Sequence, residues 1–585
     1  MGRKTEQKVI KNLYSGVILT LMAAAVVFSL FLMSGARAES KIYYVTVNGG
    51  ATLRDGSSWE NAFPAASLDY ALTECSNNTD KGEVRAAKGL YTRKATLKLP
   101  KGVKLTGGWD TDTDSRDITK MMANPMSADC ATILSRDASV AYMSIVTGGT
   151  GALSNDTCID GFTITGGTGT KPDSTGTNYY GGGMYNSGSS PTVTNCSFGS
   201  NSASGSNGGG GGMYNTASSP TVTNCSFNNN SASGASGNGG GMFNNKIGAN
   251  PTVINCTFSN NAASCGGGMF IANNSRPTVT SCSFSGNSAS TGGGVYIYSS
   301  NPLVTNCSFG GNSASGSNIM YGGGGMYTNS GSPTVTNCTF SGNSANFGGG
   351  INNMNSSLSI INCTFSDNSA NCYGGGICKS MGGLVIANSV IWGNKAATLG
   401  GDIYVGSGAT TVRSSVLGST SGTISTDGSV LSADPMIVSV DKDMKVTANS
   451  KDVCIYIISG DNVQSSSALG EGLPVGTYQI YSGTKSVDIV IPSKDGLGQT
   501  RSTNYVDIGA YQYAATTDKE VYGITLSQTS ADLEIGQSVS FDITTKPINK
   551  LSPFGGKFLC GCFSQRKNCN PHGKNQNKRQ KDNRS

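Results

Sequence analysis

Side chains able to do chemistry are sparse where this chain is most regular. Between Gly181 and Gly400 there is one carboxylate, Asp367, and the cations are Lys246, Arg276, Lys379 and Lys395, scattered over unequal positions of a repeat. Glycoside hydrolysis uses two carboxylates set across the scissile bond. Lyase chemistry needs a base for the proton α to a carboxyl, helped by Ca²⁺ or cationic side chains. Neither set is clustered in this stretch. The single histidine, His572, stands near the C-terminus, so no histidine triad or proton shuttle can form on the repeats.

Other reactive groups lie in the flanks or in a column. Asp110, Asp112, Asp114 and Asp117 alternate in WDTDTDSRD. That spacing could suit Ca²⁺, but the glycine and terminal glutamate of an EF-hand loop are missing, and a solvated turn is the plainer reading. Cys560, Cys562, Cys569 and His572 have Zn-ligand types at irregular spacing. No catalytic, cofactor-binding or metal-binding set is expected. Cys196, Cys225, Cys256, Cys282, Cys307, Cys338 and Cys363 share an Asn/Ser-Cys-Ser/Thr-Phe context. They could bridge between neighbouring coils or remain as buried thiols, and parallel Cβ vectors in a stacked column favour thiols.

The element that would position these cysteines is a repeat, with spacings of 29, 31, 26, 25, 31 and 25 residues. Periods of this size signal a solenoid, whose units bury apolar surface only against their neighbours. The unit is too rich in Gly and β-branched residues for a helical repeat, and so it is β. An Asn follows each repeated Phe by three residues, from Phe198/Asn201 to Phe365/Asn368. For Val193, Cys196 and Phe198 all to face inward the chain must bend at Asn195, and a second bend is expected at Asn201. Stacked Asn amides at such bends can hydrogen-bond from coil to coil. Length differences fall in Gly/Ser runs such as 205–210, 234–239 and 316–325, which read as loops.

These features suit an all-β fold, a right-handed parallel β-helix with three short strands per turn. The pairing of Gly-Gly-x-aliphatic (Gly181 to Met184, Gly292 to Val295, Gly374 to Ile377) with Phe-x-x-Asn resembles the repeats of polymorphic outer membrane proteins and the wider pectin-lyase-like β-helix group. The resemblance covers about residues 160–405. Gly stands here where those repeats usually carry Ala before the aliphatic residue. Such a resemblance implies an exported bacterial protein. It also admits carbohydrate-active relatives, so the fold alone does not choose between binding and catalysis.

In chain order, residues 1–38 have a basic start, an apolar run from Val17 to Met33 and Ala36-Arg37-Ala38, which reads as a cleaved secretory signal, with an uncleaved anchor as the alternative. Residues 39–160 are expected to form an N-terminal cap, with a helix near Ala66 to Cys75, and the first coils. Regular repeats follow over 161–405, and the last coils and a C-terminal cap over 406–515. Residues 516–550 resemble the first strands of a bacterial immunoglobulin-like domain, truncated far short of a sandwich. The basic tail, 551–585, is expected to lack fixed structure. The net charge of +6 is carried by the ends, +4 on 1–38 and +7 from Pro553, which leaves about −5 on the body. Nothing there recommends nucleic acid as a partner.

These readings point to a secreted monomer at the cell surface or outer membrane, non-catalytic, engaging a host or matrix protein or a glycan. The alternative is a carbohydrate-active or glycan-binding protein with its site in the first or last coils. One binding element can be named. The residue after the inward aliphatic must face out, and in successive repeats it is Tyr185, Tyr214, Phe243, Phe270, Tyr296 and Tyr327, before Asn352 and Cys378 break the run. A stacked, exposed aromatic stripe would suit sugar rings or a protein hot spot. Against this, the Gly/Ser loops could cover it, or the rings could simply stack on one another.

Overall fold

The structure, a computed structural model, describes residues 41–432 apart from 79–80, 151–152, 173–175, 318–320 and 427–429, together with four later strands. It is a right-handed parallel β-helix. Contacts divide the chain into two units, Met1–Gly234 with Gly248–Thr252, and Ala235–Ile247 with Val253–Ser585.

In the first unit the coil that begins at Gly181 has strands Met184–Ser187, Thr192–Thr194, Ser197–Gly199 and Ser202–Ala203. Each pairs in parallel with its counterpart one coil on: Met184 with Met213, Val193 with Val222, Phe198 with Phe227 and Ala203 with Ala232. Four strands per coil replace the expected three, because the first face is split by a short Gly/Ser/Pro segment and both halves join one sheet. Burial follows the expected alternation. Met184, Val193, Cys196, Phe198 and Ala203 are fully buried.

The two bends are made by residues in the left-handed region. Asn195 (φ 50°) and Asn224 (φ 54°) turn the chain into the Cys-Ser-Phe strand as expected. The second bend falls one residue earlier than the sequence reading put it, at Ser200 (φ 54°) and Asn229 (φ 54°). This leaves Asn201 and Asn230 fully buried inside the coil.

The end of the first unit is closed by residues 41–87. Helix Leu68–Asn77 buries Leu68, Ala71, Leu72 and Cys75 against strands Ile42–Thr46 and Glu83–Ala87, which covers apolar surface that an open first coil would expose.

The second unit repeats this architecture. Phe258, Phe284, Phe309, Phe340 and Phe365 stack in register, with centroids 4.5–4.9 Å apart and planes within 6° of parallel. The inter-strand spacing imposes that separation. At two coils the split first face heals into single strands, Ile351–Ile361 and Ile377–Ala387. There the outward register positions, Thr in neighbouring coils, become Ile361, Val385 and Ala387, each at most 2% exposed. The antiparallel hairpin Gly476–Ser482/Lys485–Ile491 lies against these strands. A second antiparallel pair, Val521–Leu526 with Ile543–Ile548, falls in the segment read as immunoglobulin-like, the rest of which lies outside the described residues, as do 1–40 and 551–585.

The glycine triplet has a steric cause. Gly266 has φ +66°. A Cβ on Gly267 would stand 2.5 Å from the Ser288 and Gly293 carbonyl oxygens, and one on Gly268 2.6 Å from that of Gly294. Alanine in these places would drive the coils apart.

Phe284→Ala is expected to cost about 3–5 kcal/mol, because the cavity opens in the middle of a ring stack. A denaturant midpoint within error of the parent would contradict the inward assignment.

Candidate functional site

Many of the buried polar side chains of the coils bond to one another in ladders, whereas Asn362 is buried with neither side-chain atom hydrogen-bonded. In the second unit the backbone N–H and the Nδ2 of Asn261 both donate to Oδ1 of Asn287, at 3.0 and 2.9 Å, and Asn287, Asn312, Asn343 and Asn368 repeat the arrangement upward. Each of Asn287, Asn312, Asn343, Asn368 and Asn394 also donates Nδ2 to the carbonyl of the repeated Phe in the coil below. The ladder ends on Asp402. Its Oδ1 accepts from Asn394 N (2.9 Å) and Nδ2 (2.7 Å), and its Oδ2 from Ser419 N (2.7 Å). Asp402 stands where other coils have the third glycine, and a carboxylate accepts on both oxygens where an amide could not. Burial raises its pKa. This residue was missed in the sequence because it lies just beyond the regular period, although aspartate in a Gly-Gly-Gly-aliphatic position was a visible departure.

The cysteine column is a second ladder. Cys282 N donates to Sγ of Cys307 at 3.4 Å, and the Cys282 thiol donates to the Thr280 carbonyl at 3.2 Å. The pattern recurs at Cys307 and passes to Ser389 and Ser415, which do the same work through oxygen. All seven repeat cysteines are buried thiols outside any disulfide; burial pushes the Cys307 and Cys338 thiols well above the ordinary range, whereas hydrogen bonds with Cys256 and Cys307 lower that of Cys282.

Two charged groups of the repeats have structural places. Asp367 occupies the second bend with φ 53° and is exposed. Lys379 points inward with its side chain fully buried, and Nζ donates to the carbonyls of Ser407 (2.7 Å) and Gly408 (2.6 Å). Burial lowers its pKa to about 8.

In the first coils the aspartates of the alternating run are engaged with the chain itself. Asp110 accepts from the backbone of Asp112 and Thr113 and pairs with Lys88 at 2.6 Å, which holds its pKa down at about 2. Asp114 accepts from the Trp59 indole and from Arg85. Asp117 caps the helix Ile118–Ala123 through Lys120 N. Arg85 lies 4.1 Å and Arg116 5.6 Å from the Trp109 ring centroid, Trp59 meets Tyr44 edge-on at 4.7 Å, and Arg116 pairs with Asp160. The sequence showed no sign of this cluster, since its members come from five separate segments.

The aromatic column forms in the expected register, but its exposure does not. Tyr185 pairs with Tyr214 in the first unit, and Phe243, Phe270, Tyr296 and Tyr327 pair in succession in the second. Yet Tyr214, Phe243, Phe270 and Tyr327 are 2–7% exposed, and only Tyr185 and Tyr296 are half-buried. The rings bury one another, at centroid distances of 4.7–5.6 Å, and residues just ahead of the glycine triplet flank them, as Tyr180 does Tyr214 at 4.7 Å. The run breaks where expected, since Asn352 and Cys378 follow Tyr327 in register, and beyond it the residues five earlier, Phe347 and Tyr373, lie 5.8 Å apart with planes tilted by 47°, while Tyr373 stacks on Tyr404 at 4.6 Å. Solvent reaches this flank at Tyr298, 40% exposed and edge-on to Tyr296.

The pattern described as a right handed beta helix region matches residues 248–417. No curated protein matches the chain. Among solved structures it is similar to pectate lyase Pel9A, with 14% identity, a TM-score of 0.34, and 81% of this chain and 98% of that one covered. It is also similar to tailspike protein 3 of bacteriophage CBA120 (12%, 0.33, 80% and 70%) and to PfbA, a surface adhesin of Streptococcus pneumoniae (9%, 0.27, 66% and 92%). At these identities the likeness concerns the fold alone.

Asp402→Ala would strand the Asn394 and Ser419 donors, each lost acceptor costing about 1–3 kcal/mol. The expected result is a lower unfolding midpoint with accelerated amide exchange at 394 and 419, and unaltered exchange there would refute the terminator role. For Lys379 the folded pKa lies below its ordinary 10.5, so between pH 8 and 10.5 the unfolded chain holds the extra proton and stability rises with pH across that window. Lys379→Met should abolish this rise, read as the difference in melting temperature between variant and parent from pH 7.5 to 9.5. A constant difference would count against it.

Proposed function

We propose that this chain is an exported, non-catalytic surface protein whose β-helix presents an aromatic flank to a host or matrix protein or a glycan. One observation carries the reading. The asparagine column from Asn261 to Asn394 and the cysteine column are bonded into ladders inside the coils, and the carboxylates Asp367 and Asp402 serve as a bend and a ladder terminus, which favours the tyrosines as recognition groups on the outside. The secretory-type segment at 1–38 supports export, and the immunoglobulin-like stretch at 516–550 is in keeping with a multi-module surface protein. The chain acts as a monomer in this reading and uses no cofactor.

A second reading has its own observation. Tyr44, Trp59 and Trp109 gather beside Glu83, Asp114 and Asp160 on the first coils, an arrangement of rings and carboxylates that could serve a carbohydrate-active site. The exported chain, incubated with immobilised matrix proteins and a panel of polysaccharides, is expected to bind at least one without releasing reducing ends or unsaturated products. Product release that disappears in Asp160→Asn would establish the second reading, and absence of binding to any surface would end the first.

A further inference from the structure

The outer wall of the second unit is covered progressively along its rows. In register, Leu303 pairs with Thr334, Thr334 with Ser359 and Ser359 with Val385, and exposure falls from 44% at Leu303 to 5% at Ser359 and 2% at Val385. The neighbouring outward row, Thr305, Thr336, Ile361 and Ala387, runs from half-buried to fully buried. Hydroxyl side chains thus give way to Ile361, Val385 and Ala387 where the cover is deepest. Over this strip lies the hairpin, with strand Lys485–Ile491 against Ile351–Ile361 and strand Gly476–Ser482 against Ile377–Ala387 and Thr410–Arg413. Its two strands pair with each other in a sheet of their own and join no sheet of the solenoid. Next to Ile361 the bend residue Asn362 is fully buried with neither side-chain atom hydrogen-bonded. At the same bend in the first unit, Asn195 is half-buried and donates Nδ2 to Asp160 at 2.8 Å.

We propose that the hairpin is a strap, folded only while docked on this strip, that opens as a unit and leaves the solenoid intact. A two-stranded sheet alone is marginal in water, so these strands need the apolar seat, and undocking and melting become one event. The coils do not need the strap in return. Their asparagine ladder, thiol column and phenylalanine stack hold each coil to the next from inside. Two effects oppose each other at the seat. Closure takes Ile361, Val385 and Ala387 out of water, which favours docking. It also strands the Asn362 amide, which water would satisfy in the open state. The closed strap is therefore held less firmly than a wholly apolar seat would hold it. Opening bares an apolar strip on a wall lined largely by hydroxyls, so the strap decides whether that strip meets solvent.

The test is amide hydrogen exchange on the full chain, read by mass spectrometry. Residues 476–491 are expected to exchange together, more slowly than an unstructured peptide but at least about tenfold faster than the coil strand Thr364–Ser366, because the strap opens without the coils. Ile361→Thr, Val385→Thr and Ala387→Thr together put back the residue type that earlier coils carry on this wall, so the coils should keep their protection. Exchange of 476–491 should rise at least about tenfold further, since apolar area is withdrawn from the closed state alone. Asn362→Asp keeps a side chain suited to the left-handed bend, as Asp367 is at the second bend of the same coil. Its ionised carboxylate needs water, so relative to the parent the strap should lose protection near about pH 7 and regain it near about pH 4. Exchange of 476–491 in the parent as slow as that of 364–366, or as fast as an unstructured peptide, would overturn the proposal. So would unchanged protection of 476–491 in the Thr variant, protection lost there by strap and coils together, or an Asn362→Asp effect that is absent or the same at both pH values.

Discussion

Everything in this fold depends on coils being held one strand spacing apart in strict register. That spacing brings each asparagine within reach of the next, so that Asn287 can receive two hydrogen bonds from Asn261 and pass two to Asn312. The same spacing closes the phenylalanine stack and the thiol column, and it leaves no room for a side chain on the last two glycines of each triplet. A slip by one residue would lose all of these contacts together, because inward and outward positions exchange. The regularity of the sequence is the chemical statement of that constraint.

Such a lattice must be ended as well as propagated. Helix Leu68–Asn77 covers the first coil with apolar side chains. In the second unit Asp402, from a glycine position, accepts the bonds that a further asparagine would, and Lys379 supplies a buried cation to the carbonyls of Ser407 and Gly408. Burying these ionisable groups costs free energy, which their hydrogen bonds offset in part. The outer wall is treated in the same way where it turns apolar, at Ile361, Val385 and Ala387, beneath the hairpin of strands 476–482 and 485–491.

For function, the consequence is that polar residue types do not signal reactivity here. A column of cysteines or asparagines would attract attention in an enzyme, but in this chain the members from Cys282 to Cys338 and from Asn261 to Asn394 are bonded to one another or to backbone carbonyls. On the aromatic flank the depth of burial divides the residues into those that build the column, such as Tyr327 and Phe270, and those that reach solvent, such as Tyr298.

Periodicity alone was enough to determine the solenoid, the inward set Val193, Cys196 and Phe198, the left-handed turn at Asn195 and the register of the aromatic column. Each of these follows from nearest-neighbour stacking of like on like, which repeats leave plainly in the chain. Only the tertiary structure decided that the coil has four strands, that the second bend falls at Ser200 so that Asn201 turns inward, and that most of the aromatic column is covered. It also decided what joins across sequence without repeating, as in the Trp59, Arg85, Trp109 and Asp114 cluster and in the passage from Phe347 through Tyr373 to Tyr404. The physical reason is the same in each case. Which way a residue faces is set by alternation along its own strand, whereas what then lies over it is set by segments whose path leaves no period in the sequence.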